Sequence, residues 1–152
     1  MKTFLQHFRE SVQPTFGDLL LYHGSNVEFD EFDFAKFGQT DSGTMGAGFY
    51  LTGLEEEARR YAENCVRYRK EGEPCVMSFR VNLKKPVVLD SNNASAWEDK
   101  MRELGIEPGS VHENAATLKA QGYDSVVIVD PALTPMIREV VVYKPGLAKR
   151  EA

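Results

Sequence analysis

Apolar positions along this chain come in short alternating runs, broken by one long helical stretch. Leu19 to Tyr22 reads as a strand ending at His23, and Phe49 to Thr52 as a second short strand. Leu54 to Lys70 carries the clearest helical period. At about 100° per residue, Leu54, Ala58, Tyr61, Ala62, Cys65 and Tyr68 fall on one arc. Gly72 and Pro74 stop that helix. Cys75 to Leu83 alternates, with Val76, Ser78 and Arg80 on one side and Met77, Phe79 and Val81 on the other. Val87 to Leu89 gives another strand, residues 94–104 and 111–121 two more helices, and Asp124 to Val129 an apolar strand. Val140 to Tyr143 is the last predicted strand, closed by Pro145-Gly146, and the charged tail from Ala148 is expected to fray.

Between these elements lie the loops. Residues 1–18 suggest a short polar helix running into a Gln13–Asp18 loop. Residues 26–45 have no period: Phe and Asp alternate first, then Gly, Thr, Ser and Asp dominate. The first part reads equally as a partner-binding loop or as a partly buried aromatic flap. Absence of repeats or linkers predicts one α+β domain over residues 1–152, with a core at about 19–148.

Composition narrows the class without naming a function. Of 152 residues, 42% are hydrophobic and 27% charged, as in ordinary globular domains. Lys plus Arg number 18 against 23 Asp plus Glu, a net charge of −5 that offers no global attraction for nucleic acid or anionic membrane. There is no run of about 18 apolar residues to span a bilayer, and His7, Arg9 and Glu10 interrupt any secretory signal. A cytoplasmic protein, or one delivered into a target cell's cytoplasm, is expected. Cys65 and Cys75 lack zinc-ligand spacing and read as idle thiols, so no metal is expected.

Four places could carry chemistry. His23 ends a strand at Gly24-Ser25, where an imidazole can hydrogen-bond a hydroxyl and Gly24 lets a ligand amide approach the backbone. Gly46-Ala47-Gly48 precedes Phe49-Tyr50, so Gly48 could clear room for a flat ring with Tyr50 as one wall. Tyr61 sits on the helix arc and matters only if that helix closes the same cleft. Glu139 opens the last apolar strand, where a carboxylate in a cleft could stabilise positive charge at an anomeric carbon. Each alone is more commonly a strand end, a turn or a core aromatic. The helix also bears Arg59, Arg60, Arg67 and Lys70. Glu56 and Glu63 lie in the same stripe at pairing distance from Arg60 and Arg67, predicting a solvated, salt-bridged face.

In order, these pieces resemble one family. Leu21-Tyr22-His23-Gly24-Ser25, Gly46-Ala47-Gly48-Phe49-Tyr50 and Glu139-Val140-Val141-Val142-Tyr143 resemble the His, Tyr and Glu motifs of the diphtheria-toxin/poly(ADP-ribose) polymerase branch of ADP-ribosyltransferases. Tyr61, eleven residues after Tyr50, matches the family's second stacking tyrosine in spacing. Phe32-Asp33, Leu83–Asp90 and Gly122–Ile128 are similar to small bacterial and phage members, including the ADP-ribosyltransferase domains of polyvalent proteins. The resemblance implies short mixed or antiparallel strands in two packed sheets with flanking helices. It implies NAD as co-substrate, a macromolecular acceptor (protein or nucleic acid), and no metal.

Roles follow residue by residue from the resemblance. His23 would bind the adenosine-side ribose, and Gly24, with Ser25 beside it, the nicotinamide carboxamide. Tyr50 and Tyr61 would stack on nicotinamide, with Gly48 beside them. Glu139 would grip the nicotinamide-side ribose and act in catalysis with His23 and Tyr50. Residues 26–45 would form a flap over NAD, and the loop Asp130–Arg138 would help select the acceptor. Two departures stand out. Ala58 replaces a Ser that contacts the carboxamide, and Ile137 replaces the Gln or Glu of arginine-modifying toxins, which argues against arginine as acceptor. Mono-ADP-ribosylation is expected, with an NAD glycohydrolase, a non-catalytic NAD-binding module and an RNA 2′-phosphotransferase as rivals. Toxin, phage effector and defence roles stay open; a toxin acting in its own cell would need an antitoxin or immunity protein.

Overall fold

The computed structural model describes residues 16–34, 45–91, 93–133 and 136–151. The helix expected within 1–18 and the later half of the 26–45 loop lie outside these residues, apart from Phe16–Asp18 and Met45. Among the described residues there are seven strands: β1 (Leu19–Ser25), β2 (Phe49–Thr52), β3 (Cys75–Val81), β4 (Pro86–Leu89), β5 (Ser125–Val129), β6 (Ile137–Val142) and β7 (Ala148–Arg150). Three helices accompany them: α1 (Glu55–Arg69), α2 (Ala94–Glu103) and α3 (Val111–Ala120). The elements follow the apolar periods closely. Asn93 caps α2 by accepting from the Ala96 amide, and Ser110 and Glu113 form a reciprocal capping box on α3.

The strands form one mixed sheet in the order β4-β5-β6-β2-β1-β3-β7, which corrects the expectation of two packed sheets. Only β4 and β5 run parallel; every other neighbouring pair is antiparallel. The sheet is thinnest in the middle. Between β1 and β2 the registered pairing is Tyr22 with Thr52 alone, whereas β1 pairs with β3 along its whole length. One registered residue pair, Tyr22 with Thr52, therefore joins two halves that the resemblance treats as separate sheets, and sequence periodicity carries no trace of it.

Each face of the sheet buries its own apolar cluster. Leu21, Phe49, Phe79, Val81, Val140 and Val142 pack on one face, with Phe29, Phe32 and Phe34 from the loop after β1 lying over them. On the other face, Val126, Ile128 and Val141 meet Trp97 and Met101 of α2 and Leu118 of α3. β5 is buried at all five positions because both faces are covered. The Phe-rich segment is thus an aromatic flap packed on the core.

The C-terminal tail also departs from expectation. Instead of fraying, Ala148–Arg150 pairs with Val81–Phe79 as β7. Arg150 donates to the Phe29 carbonyl at 2.8 Å and to the Glu28 carboxylate at 2.9 Å, tying the flap to the sheet edge. Among the described residues, no helix is long and apolar enough to cross a membrane.

Candidate active site

Where β1 and β2 stop pairing, a cleft of about 610 Å³ opens, within the range of small-molecule sites. Its walls come from the end of β1, from β2, from α1, from the aromatic flap and from the start of β6. The sheet register explains why. Tyr22 faces Thr52, and Thr52 faces Glu139, so these residues share one face with Gly24 and Tyr50. His23 lies on the opposite face, opposite Met77 and in contact with the Phe29 and Phe49 rings. Residues of both faces line the cleft where the strands part.

His23 spans that gap. Its Nδ1–H donates to the Tyr50 carbonyl at 2.6 Å, taking the place of the missing backbone pair. A carbonyl can only accept, so Nδ1 carries the proton, and in the neutral ring Nε2 is the acceptor. Tyr50 is held as firmly. Its hydroxyl accepts from the Met45 amide at 2.9 Å and donates to the Gly46 carbonyl. Tyr143 donates to the Met45 carbonyl at 2.6 Å, and burial pushes its phenol far up.

Gly24 is required by packing. A Cβ there would stand 1.8 Å from the Ala58 carbonyl oxygen, so only glycine lets α1 lie this close to β1. Ala58 and Ala62 are fully buried at that contact. The helix then turns its next row, Glu57, Tyr61, Cys65 and Arg69, toward the cleft at four-residue spacing. Tyr61 is 53% exposed and is therefore no core residue, and Tyr68 is 89% exposed despite its place on the predicted arc.

Glu139 is half-buried on β6. Burial pushes its carboxyl above the usual range, Arg138 pulls it back, and Glu57 adds to the rise. Tyr61 is raised by burial and then by Glu139 and Glu57. These three groups thus face one space. Thr52 fixes it: its hydroxyl donates to the Arg138 carbonyl at 2.7 Å and accepts from the Leu54 amide at 3.1 Å. One side chain so ties the start of α1 to the strand carrying Glu139.

The structure gathers His23, Gly24, Ser25, Tyr50, Tyr61 and Glu139 around the cleft. Gly48 is not part of its wall, which corrects the expectation that it clears room for a ring. A Cβ on Gly48 would meet Val141 Cγ2 at 2.6 Å and the Val142 carbonyl at 2.8 Å, so its bareness serves the contact with β6. Ile137 is buried in the core and sends no side chain to the site. Sequence reasoning passed over Glu57, Arg69 and Arg138, which also line the cleft. Arg69 donates to Asn26 Oδ1 at 2.9 Å, and Arg138 to Asp130 at 3.2 Å. Arg60 pairs with Glu57 at 3.0 Å, not with Glu56 as expected. The four-residue row was the available signal: its middle, Tyr61 and Cys65, belongs to the predicted apolar arc, and Glu57 and Arg69 extend it at either end.

Such a cleft, two aromatic side chains, an imidazole and a partly desolvated carboxylate at the parting of a mixed sheet, suits binding of a nucleotide and stabilisation of a cation. A family model, ADP-ribosyltransferase in polyvalent proteins, matches residues 17–150. The chain belongs to that family, whose general activity is ADP-ribosyl transfer with NAD as co-substrate. Among solved structures, an anti-CRISPR protein is similar at 20% identity, covering 91% of this chain and 99% of its own, with a TM-score of 0.40. No curated protein matches.

Proposed function

We propose that this chain is a mono-ADP-ribosyltransferase of the His-Tyr-Glu type, acting as one domain over residues 1–152. It cleaves the nicotinamide–ribose bond of NAD and passes ADP-ribose to a macromolecular acceptor. The observation that carries this reading is the convergence of His23, Tyr50, Tyr61 and Glu139 on one cleft within a chain of this family.

Each side chain has a physical task in this reading. His23 accepts a ribose hydroxyl at Nε2, since the Tyr50 carbonyl occupies Nδ1. Tyr50 and Tyr61 present aromatic faces from β2 and α1, where the nicotinamide ring can lie between them. The leaving nicotinamide departs neutral and takes the bond's electron pair, so positive charge builds on the ribose. Glu139, poorly solvated in its half-buried position, stabilises that charge more strongly than a carboxylate in water. Arg69 supplies positive charge toward the dinucleotide's phosphates from the last turn of α1, about 12 Å along the axis from Tyr61.

The test uses labelled NAD with wild-type and Glu139→Gln protein in a bacterial lysate, split among protease, RNase and DNase digestion. Label dependent on wild type establishes transfer, and the digestion that removes it gives the acceptor class. Free ADP-ribose without labelled macromolecule would favour the glycohydrolase. Intact NAD would sink the catalytic assignment.

A further inference from the structure

The connection from α1 to β3 closes on one buried polar residue, Asn26, which directly follows β1 and is 3% exposed. Its carbonyl accepts from the Glu73 amide at 3.2 Å. Gly72 is needed beside it, since a Cβ there would stand 2.1 Å from that carbonyl oxygen. The side chain is held from two sides. Nδ2 donates to the Glu71 carbonyl at 3.3 Å, and Oδ1 accepts from Arg69 Nη1 at 2.9 Å. One partner only accepts and the other only donates, so together they fix which way the amide faces.

Arg69 is exposed, ends α1 and lines the cleft. A guanidinium is a planar fork of N–H donors, so holding one of them sets the direction of the rest. Ordering this long side chain before a ligand arrives also lowers the entropy lost on binding. The acceptor that does this is a neutral amide. An Asp at position 26 could hold the guanidinium too, but it would offset the positive charge that an anionic ligand needs. The other arginine of the cleft wall serves a different end. Arg138 lies where α1 begins, its carbonyl joined through Thr52 to the Leu54 amide, and its guanidinium donates to Asp130.

We infer that Asn26 is a positioning residue of this site: it holds the Arg69 guanidinium as a preset anchor for the diphosphate of the dinucleotide. This deepens the reading of the cleft as an NAD site and rests on it. Asn26 touches no ligand and acts through Arg69. A cation in the last turn of α1 is also favoured by the carbonyl end of the helix. That effect alone would dock the loop and leave affinity for a diphosphate unchanged, so the two roles separate by measurement.

The experiment titrates ADP-ribose into the protein by calorimetry and follows nicotinamide release from NAD separately. Wild type binds ADP-ribose. Arg69→Ala weakens binding by about 10-fold or more, the scale of a lost charge-assisted hydrogen bond. Asn26→Ala weakens it by about 3–10-fold, yet adds nothing further in the Arg69→Ala background, as expected of a residue that acts through the arginine. Asn26→Asp also weakens binding although it keeps an acceptor for Arg69. Thermal melts report folding. Arg69 is exposed, so Arg69→Ala stays decisive even where an Asn26 variant melts early. Unchanged ADP-ribose affinity in Arg69→Ala, or an equal loss from Asn26→Ala with and without Arg69, overturns the proposal, and if wild type still releases nicotinamide the transferase reading stands. Failure of wild type to bind ADP-ribose overturns it as well. The expected pattern of affinities in a protein that releases no nicotinamide would support the anchor and sink the transferase reading instead.

Discussion

His23 joins two strands by its side chain: Nδ1 donates to the Tyr50 carbonyl at 2.6 Å just where backbone pairing between β1 and β2 ends. The same ring is therefore both a staple across the parted sheet and, through Nε2, a candidate ligand for ribose. Two substitutions separate these roles. Asn can imitate the Nδ1 donor but lacks the distal acceptor, whereas Ala lacks both. His23→Asn is expected to keep near wild-type stability and to raise the KM for NAD. His23→Ala should lose about 1 kcal/mol of stability in addition, the usual net worth of one hydrogen bond. Urea unfolding and NAD titration read the two effects independently.

Glu139 makes a pH prediction whose sign follows from its environment. Burial raises its folded-state pKa above the ordinary carboxyl value of 4.5, with Glu57 adding to the shift. Catalysis needs the ionised form, so the acid limb of the NAD-cleavage profile should lie above that value. Removing the carboxylate should cost roughly 10²–10³-fold in kcat, by analogy with loss of one electrostatic stabiliser. Stability runs the other way. A raised acid binds its proton more tightly in the folded state, so its favourable contribution is present at low pH and lost as pH rises through the folded pKa. Glu139→Gln should accordingly melt higher than wild type at neutral pH, with the gap closing as pH falls below the unfolded value. A lower melting point for the variant at pH 7 would contradict the desolvated placement of this carboxylate.

Much of this arrangement was legible from residue patterns. Strand and helix periods located the elements, and three separated motifs pointed to one cleft because each ends or begins a strand. What could not be read is what depends on tertiary approach. Gly24 looked like an opening for a ligand, yet α1 fills the space its missing Cβ leaves; the space beside Gly48 is likewise taken by Val141 and Val142 of β6. The tail from Ala148 looked frayed because its charges suggested solvent, but Arg80 pairs with Glu151 and Arg150 with Glu28, turning those charges into the means of docking β7. Arg69 and Glu57 were hidden because an amphipathic helix advertises its apolar positions, and these two charged side chains extend at either end a row in which only Tyr61 and Cys65 belong to the apolar arc.

Gly24→Ala tests the reason for that close helix approach. The added methyl would collide with the Ala58 carbonyl, a backbone atom that cannot rotate away. α1 must shift, and the expected loss is about 1–3 kcal/mol, the range for overpacking. Because Tyr61 rides on the same helix, NAD affinity should fall together with stability. A variant as stable as wild type would mean that α1 is not seated on β1 as described.

Tyr61 itself gives a cleaner probe of the ring-stacking role. It is half exposed and has little packing to lose, so truncation should leave the fold largely intact. Tyr61→Phe keeps the aromatic face and should retain most NAD binding. Tyr61→Ala removes it, and the KM for NAD should rise by about 5–10-fold, corresponding to an aromatic contact of roughly 1–1.5 kcal/mol. Equal KM values for the two variants would show that the phenyl face does not meet the dinucleotide.

The loop between β5 and β6 is latched at its base. Arg138 donates to the Asp130 carboxylate through Nε at 3.3 Å and a terminal nitrogen at 3.2 Å, and the Asp130 amide donates to the Met136 carbonyl at 2.9 Å. The Ala132 amide and the Arg138 guanidinium together hold Asp130 below the usual carboxyl range. With a depressed pKa, the latch is present above the unfolded value and is lost as pH falls through the folded one. At neutral pH it is closed. Asp130→Asn weakens it and lets Arg138, a cleft-lining side chain, point elsewhere. Since both partners keep solvent exposure, Arg138 at 48% and Asp130 at 26%, the fold should tolerate the change. The expected result is altered efficiency or choice of acceptor in the lysate labelling assay, with nicotinamide release from NAD little changed. Loss of nicotinamide release in step with labelling would instead make this loop part of the NAD site.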